Sequence, residues 1–266
     1  MTSRPAWLVS LESSPPALFE AALWVAHEHD PQLQPAAVLR DVANLRQQVA
    51  AGLPAMPPAE LAQPLLRRLN DLDFHQDDDL PLRPQAALLH KVMQRRRGQP
   101  LSLALIALEL ARQLDIPLQA VNFPGHLLLR VPGADHLLDP CSGRRLYTRD
   151  CRELLNRVTG NSELNANHLQ TCDARALLLR LSRNLCHLHG GAGDALAALK
   201  DAERIVQLAT PNVADHLLRA DLYRQLDCPQ AERFDLERAL LLCDDEAQRM
   251  QLSQRLHELG KAPALH

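Results

Sequence analysis

Residues 101–114, with the sequence LSLALIALELARQL, place the strongest constraint on the fold of this chain. Among the first ten of these positions only Ser102 and Glu109 are polar, so apolar residues surround the helix instead of forming one stripe. A helix with that pattern must be covered by other elements on nearly every side. Pro100 precedes it, where the fixed φ of proline suits a first helical turn. The sequence therefore predicts a buried helix at the centre of a domain.

The segments before this helix show apolar residues at helical spacing, which predicts four further helices. The last of them ends in RRRG, and arginines near a helix carboxyl terminus interact favourably with the helix dipole, while Gly98 could form a left-handed cap. We interpret these arginines as a helix end and not as a contact for nucleic acid. The predicted helices cover residues 16–29, 35–51, 58–70 and 85–97.

After Pro117 the pattern changes from helices to short strands. The segments LQAVNF, LLLRV and HLLD are predicted strands, and PGAD, residues 132–135, is the turn that joins the last two as a hairpin. Helices packed on a small antiparallel sheet belong to the α+β class. We therefore predict an α+β domain.

Composition narrows the possible environments and partners. The formal net charge of −3 gives no reason to expect nucleic acid or an anionic membrane as a partner. No apolar run is long enough to span a bilayer, and no signal-peptide pattern opens the sequence. We expect a cytoplasmic protein in which the six cysteines are reduced thiols.

From about residue 174 onward the chain returns to helical patterns with a period of about 34 residues. The segments 194–212 and 229–245 occupy equivalent places. This period is typical of tetratricopeptide repeats, so residues 174–260 are predicted to form about two tetratricopeptide-like repeats. Two repeats cannot bury their apolar faces alone, and we expect them to dock on the preceding domain or to be capped by residues 246–260. A protein or peptide partner would bind to these repeats.

The stretch FPGHLLLRV places His126 between a Pro-Gly turn and a predicted strand. If PGAD forms a four-residue hairpin loop, Leu128 lies opposite Asp139, and His126 becomes a diagonal neighbour of Asp139 on the same face of the sheet. Such neighbours lie about 7–8 Å apart, which allows a hydrogen bond between the side chains. A carboxylate bonded to one ring nitrogen leaves the other free to act as a base, so the pair would form two thirds of a catalytic triad. The same register places Cys141 opposite His126.

The segment RRRGQPLSLALIALELARQLDIPLQAVNFPGHLLLRV, followed by LLDPCSG, resembles the core of transglutaminase-like proteins. With LLHKVMQRRRGQPLSL before it and tetratricopeptide-like helices after it, the chain resembles more narrowly the SirB family of transglutaminase-like proteins. The resemblance implies a papain- or transglutaminase-like domain over residues 16–165. It also implies that His126 and Asp139 stand at the positions of the family's catalytic histidine and aspartate.

The resemblance does not extend to the nucleophile. On the family pattern Gly-Gln-Cys-x-x-x-Ala, the sequence GQPLSLA puts Pro100 at the cysteine position. Proline offers no nucleophile and no N–H group for an oxyanion hole. Ser102 follows Pro100 by two residues, which is a rotation of about 200° around the helix, so its side chain points toward the other side. We expect its hydroxyl to bond a carbonyl one turn back. Cys141, which follows the aspartate strand, is the other candidate.

Two functional hypotheses follow from these residues. The first is a non-catalytic scaffold or regulatory protein that acts through protein contacts. The alternative is an acyl-transfer or cysteine-protease-like hydrolase that uses His126, Asp139 and either Ser102 or Cys141. The histidine pairs at residues 27 and 29 and at residues 187 and 189 point apart on their predicted helices, so we expect no metal site, and nothing indicates a cofactor.

Overall fold

The computed structural model describes residues 4–210 and 212–261. The chain divides into two compact units between Leu181 and Ser182, within a long helix that begins at Ala174. The first unit contains seven complete helices and the amino-terminal part of the long helix among its described residues. The complete helices are α1 (Ala6–Leu11), α2 (Leu18–His29), α3 (Pro35–Ala50), α4 (Ala62–Asp71), α5 (Leu89–Arg95), α6 (Pro100–Gln113) and α7 (Thr148–Thr159).

Helix α6 is the buried helix that the sequence predicted. It begins at Pro100, and every residue of its first two turns from Leu101 to Ala107 is buried. Helices α2, α3, α4 and α5 all contact it, which covers its apolar surface from several directions. The predicted helices at residues 16–29, 35–51 and 58–70 correspond to α2, α3 and α4. The first two agree within two residues, while a short 3-10 helix at Pro58–Glu60 precedes α4.

A four-stranded antiparallel sheet follows α6, and its strands lie side by side in chain order. Leu129 pairs with Leu138, which is the register that the sequence predicted for the hairpin. The fourth strand and the helix α7 after it were not predicted. Helices on a small antiparallel sheet confirm the α+β class. The strands are β3 (Gln119–Val121), β4 (Leu128–Arg130), β5 (Leu137–Leu138) and β6 (Arg145–Leu146).

The prediction that a helix continues to residue 97 is wrong. Helix α5 ends at Arg95, Arg96 adopts the left-handed conformation with φ of 55°, and Gly98 lies in a strand. The strand β2 (Arg97–Gly98) pairs in parallel with β1 (His75–Gln76). Because Arg96 is the residue that reverses the chain, Gly98 is not the helix cap.

The three arginines of this segment bond to the loop before α5. Arg95 donates to the Asp77 carboxylate at 2.7 Å, and Arg96 donates to the Leu72 carbonyl at 2.8 Å. Arg97 binds the Asp73 side chain at 3.1 Å, and it holds the pKa of that carboxyl below its usual value. Their charged groups therefore stabilise the fold of this segment.

Within residues 182–210 and 212–261, the second unit contains the rest of α8 (Ala174–Gly191) and four further helices. Helix α9 begins at Ala195 and α11 at Pro229, which is a spacing of 34 residues. Consecutive helices from α9 to α12 pack against each other, and Leu252 of α12 joins the buried cluster formed by α10 and α11. These helices are α9 (Ala195–Leu208), α10 (Val213–Gln225), α11 (Pro229–Leu242) and α12 (Glu246–Lys261).

None of the helices within residues 4–210 and 212–261 is long and apolar enough to cross a membrane.

Candidate functional site

The turn that carries His126 lies between β3 and β4 and depends on a glycine. Gly125 has a φ of +69°, which favours glycine, and a Cβ at this position would lie 2.7 Å from a methyl group of Val158 in α7. The His126 amide donates to the Phe123 carbonyl at 3.0 Å, which closes the turn. The backbone of His126 is therefore fixed by the turn and by its contact with α7.

Arg180 also holds this turn, and sequence reasoning did not find it. Its guanidinium donates to the His126 carbonyl at 3.0 Å and to the Asn122 side-chain oxygen at 2.5 Å. Burial lowers the pKa of Arg180 from its usual value. Arg180 follows His126 by 54 residues and lies on α8, so no local pattern connects the two residues.

His126 and Asp139 do not bond to each other in the structure, although the register of their strands is the predicted one. The half-buried ring of His126 makes no hydrogen bond with any residue in the described ranges. The Asp139 carboxylate accepts hydrogen bonds from the Cys141 amide at 3.0 Å and from the Ser142 hydroxyl at 2.6 Å. Asp139 thus stabilises the turn that follows its own strand, as aspartates commonly do.

Cys141 belongs to this same turn, which helix α4 holds in place. The Asn70 amide donates to the Cys141 carbonyl, and the Gln63 amide donates to the Gly143 carbonyl at 2.9 Å. Burial, together with the nearby charge of Asp139, raises the pKa of the Cys141 thiol to about 12. The thiolate is the nucleophilic form, so this environment suppresses the reactivity of Cys141 at neutral pH.

The start of α6 offers no free nucleophile either. Pro100 is the first residue of the helix, and the preceding amide of Gln99 donates to the Ala86 carbonyl at 2.7 Å. Ser102 is fully buried, and its hydroxyl donates to the Ala87 carbonyl at 3.2 Å. The hydroxyl bonds a carbonyl as expected, but the partner belongs to the segment before α5 and not to the previous turn of α6.

Metal-ligating side chains do not gather at this place. Among the described residues, no group of three histidine, cysteine or acidic side chains with converging ligand atoms includes His126, Asp139 or Cys141. His27, one of the histidines considered above, bonds through its ring to the Leu33 carbonyl at 2.9 Å.

Residues 36–183 match the family model described as the transglutaminase-like superfamily. The chain belongs to this superfamily. The chain is similar to a UPF0162 protein of Pseudomonas aeruginosa, which is 59% identical over the full length of both chains. Protein SirB1 of Salmonella typhimurium is 27% identical over 60% of this chain and 61% of its own length, which supports the predicted SirB-like relationship. F-box only protein 21 of Homo sapiens is 31% identical over 52% of this chain but only 23% of its own length.

Proposed function

We propose that this chain is a non-catalytic member of the transglutaminase-like superfamily that acts as a scaffold or regulatory protein. In this proposal residues 16–165 form the transglutaminase-like domain, and residues 174–260 form tetratricopeptide-like repeats that bind a protein or peptide partner in the cytoplasm. The observation that carries the proposal is Pro100 at the first position of α6. The family resemblance assigns this position to the nucleophile, and proline cannot serve as one.

The environments of the two substitute nucleophiles support the same proposal. Ser102 is fully buried and uses its hydroxyl in a hydrogen bond to a backbone carbonyl. The pKa of Cys141 is raised to about 12, so only about one thiol in ten thousand is ionised at pH 8. Neither residue has the features of an activated nucleophile.

The similarity to F-box only protein 21, which covers 52% of this chain, supports the view that the shared region is a module that can be part of different proteins. The shared stretch makes up 23% of that protein, so a region similar to this one also occurs as a part of a larger chain. The 34-residue spacing between the starts of α9 and α11 supports the repeat assignment, because it equals the length of a tetratricopeptide repeat. Stacked repeats of this kind present an extended surface, which supports a protein or peptide partner.

One observation favours the alternative of an acyl-transfer or cysteine-protease-like hydrolase. The ring of His126 makes no hydrogen bond with the described residues, so its nitrogens are available to take a proton from a bound group. In that mechanism Asp139 would have to leave its turn to orient the ring, with Ser102 or Cys141 as nucleophile.

Thiol labelling with iodoacetamide at pH 8 distinguishes the two functions. We expect Cys141 to react at least a hundredfold more slowly than the exposed Cys228, because its raised pKa keeps it protonated. The substitution His126→Ala should leave the rate at Cys141 unchanged, and a fluorophosphonate probe should not label Ser102. Mass spectrometry of the labelled peptides gives each rate. Rapid labelling of Cys141 that disappears in His126→Ala, or modification of Ser102, would establish the hydrolase instead.

The substitution Pro100→Cys provides the positive control. The helix dipole stabilises a thiolate at the first turn of α6, so we expect it to lower the pKa of the new thiol and to accelerate its labelling at neutral pH. If His126 still faces this position, removing the ring from the Pro100→Cys protein should slow that labelling. Equal labelling rates with and without the ring would show that His126 does not face the position of the nucleophile.

A further inference from the structure

Arg130, the last residue of β4, has unused hydrogen-bonding capacity. A guanidinium offers five N–H donors. One Nη donates to the Leu169 carbonyl over a long distance of 3.4 Å, and the buried Nε has no partner. Arg130 also forms no ion pair with any carboxylate in the described part of the chain. A half-buried cation without a counter-charge indicates a place where an anion would be stabilised.

An apolar cavity of about 130 Å³ lies beside this guanidinium. Thr148, the first residue of α7, and His136 contribute polar groups to its wall, and Arg130 also borders a more open cleft next to Leu169 and Gln170. The lining of the cavity therefore combines a cation with apolar side chains. The apolar residues are Leu137, Leu146, Cys151, Leu164 and Leu169.

The charges around the cavity favour an anion. The wall contains one carboxylate, Asp135, whose side chain is 85% exposed and bonds to the His136 ring at 2.9 Å. His136 and the more distant Arg145 both lower the pKa of Asp135, so this carboxylate already has cationic neighbours. In contrast, Arg130 pairs with none of the carboxylates of the described residues.

We propose that this cavity binds a carboxylate carried by a short branched aliphatic group, with the carboxylate on Arg130 and the aliphatic group among the leucines. The volume of about 130 Å³ suits the aliphatic group of such a ligand, because a cavity of roughly 150 Å³ can hold the six carbon atoms of benzene. Two sources share the chemistry, namely a free branched-chain acid and the carboxyl terminus of a peptide that ends in leucine or valine. The proposal does not depend on whether the chain is catalytic, since none of these residues belongs to the site around His126.

Binding is tested on the full chain by calorimetry and by NMR chemical-shift changes with three probes. The probes are 3-methylbutanoate, the peptide acetyl-Gly-Ser-Gly-Leu with a free carboxylate, and the same peptide with an amidated carboxyl terminus. We expect saturable binding of at least one of the two carboxylates and at least a tenfold weaker interaction with the amide. Binding of the free acid alone identifies a small metabolite as the ligand, and binding of the peptide alone identifies a chain terminus. Absence of binding by both carboxylates at millimolar concentrations would overturn the proposal.

Variants assign the binding to the cavity. Arg130→Gln should weaken binding at least tenfold, whereas Arg149→Gln, which removes the same charge from a side chain that is 91% exposed, should not change it. Asp135→Asn should strengthen binding a few-fold, because it removes the carboxylate from the wall. Ala134→Trp, at the hairpin turn that borders the cavity, should abolish binding and tests the site even if Arg130→Gln does not fold. Binding that persists unchanged in folded Arg130→Gln or in Ala134→Trp would contradict the proposal.

Discussion

The His126–Asp139 pair predicted in the first unit and two pairs in the second unit differ in how the aspartate is bonded. In the first unit, the sequence indicated a pair between His126 and Asp139, but the Asp139 carboxylate bonds to its own turn. In the second unit, where no chemistry was expected, the His216 ring bonds to the fully buried Asp235 at 2.8 Å. A second pair, His189 and Asp201, has the same distance of 2.8 Å.

The surroundings of the two kinds of pair explain the difference. Arg219 also donates two hydrogen bonds to Asp235, at 2.8 and 2.7 Å, so this buried carboxylate has both a cation and a ring N–H as partners. A buried carboxylate must be paired, whereas the half-buried Asp139 can satisfy its oxygens with a backbone amide and a hydroxyl next to it. The bonding of Asp235 and of Asp139 therefore differs with the burial of each carboxylate.

The two buried aspartates of the second unit occupy equivalent positions on their helices. Asp201 on α9 and Asp235 on α11 are 34 residues apart and both are 0% exposed. The helices that carry them also begin 34 residues apart, and each aspartate bonds a histidine and an arginine. The recurrence at this spacing indicates that these clusters hold neighbouring helices in register.

The largest effect that we predict is the loss of Asp235. Asp235→Ala leaves His216 and Arg219 without their buried acceptor, and breaking a buried ion pair costs about 3–5 kcal/mol. Denaturant unfolding of the full chain, followed by circular dichroism, measures this change in the free energy of unfolding. Asp244→Asn is the matched control, because Asp244 is exposed on the loop after α11 and its loss should change stability by less than about 0.5 kcal/mol. A small effect of Asp235→Ala would remove the contrast between the two units.

A pair of double-mutant cycles tests the contrast directly. Residues in contact within one network usually show coupling energies of about 0.5–3 kcal/mol. We therefore expect a clear coupling for alanine substitutions at His216 and Asp235, and a coupling within about 0.5 kcal/mol of zero for His126 and Asp139. The same unfolding measurements supply both values. A strong coupling between His126 and Asp139 would show that the two side chains meet in solution, and would favour the hydrolase.

The smallest predicted effect is that of Asp139 alone. Asp139→Ala removes the acceptor for the Cys141 amide and the Ser142 hydroxyl, and we expect a loss of about 1–2 kcal/mol in the free energy of unfolding. Ser142→Ala should reproduce a part of that loss, because it removes only one of the two bonds. If Asp139→Ala left the free energy of unfolding unchanged while Ser142→Ala lowered it, the inference that Asp139 stabilises this turn would be wrong.

Much of the fold could be predicted because local patterns determine it. The burial of α6 follows from its uniform apolar sequence, and the register of Leu129 with Leu138 follows from the length of the hairpin loop. The left-handed turn at Arg96 could not be predicted, because arginine rarely adopts a positive φ and the nearby Gly98 offers a more usual cap. The two-residue strands β1 and β6 are too short to produce a periodic pattern.

The candidate site was less predictable than the fold. The predicted hairpin register was right, but the Asp139 side chain accepts hydrogen bonds within its own turn. The alternation of side chains between the two faces of a strand does not predict such bonds. The role of Arg180 depends on a contact with the His126 carbonyl across 54 residues of sequence. Such contacts depend on how the elements pack together, and a single sequence contains no period or motif that reveals them.

The turn at Gly125 has a consequence for the motions of this region. Catalytic loops in many enzymes open and close on the microsecond to millisecond scale. Here Val158 packs against the glycine on one side, and Arg180 bonds the His126 carbonyl on the other. The histidine can therefore swing out only if α7 separates from the turn or the arginine bond breaks. Hydrogen exchange at the His126 amide should accordingly require one of these two local openings.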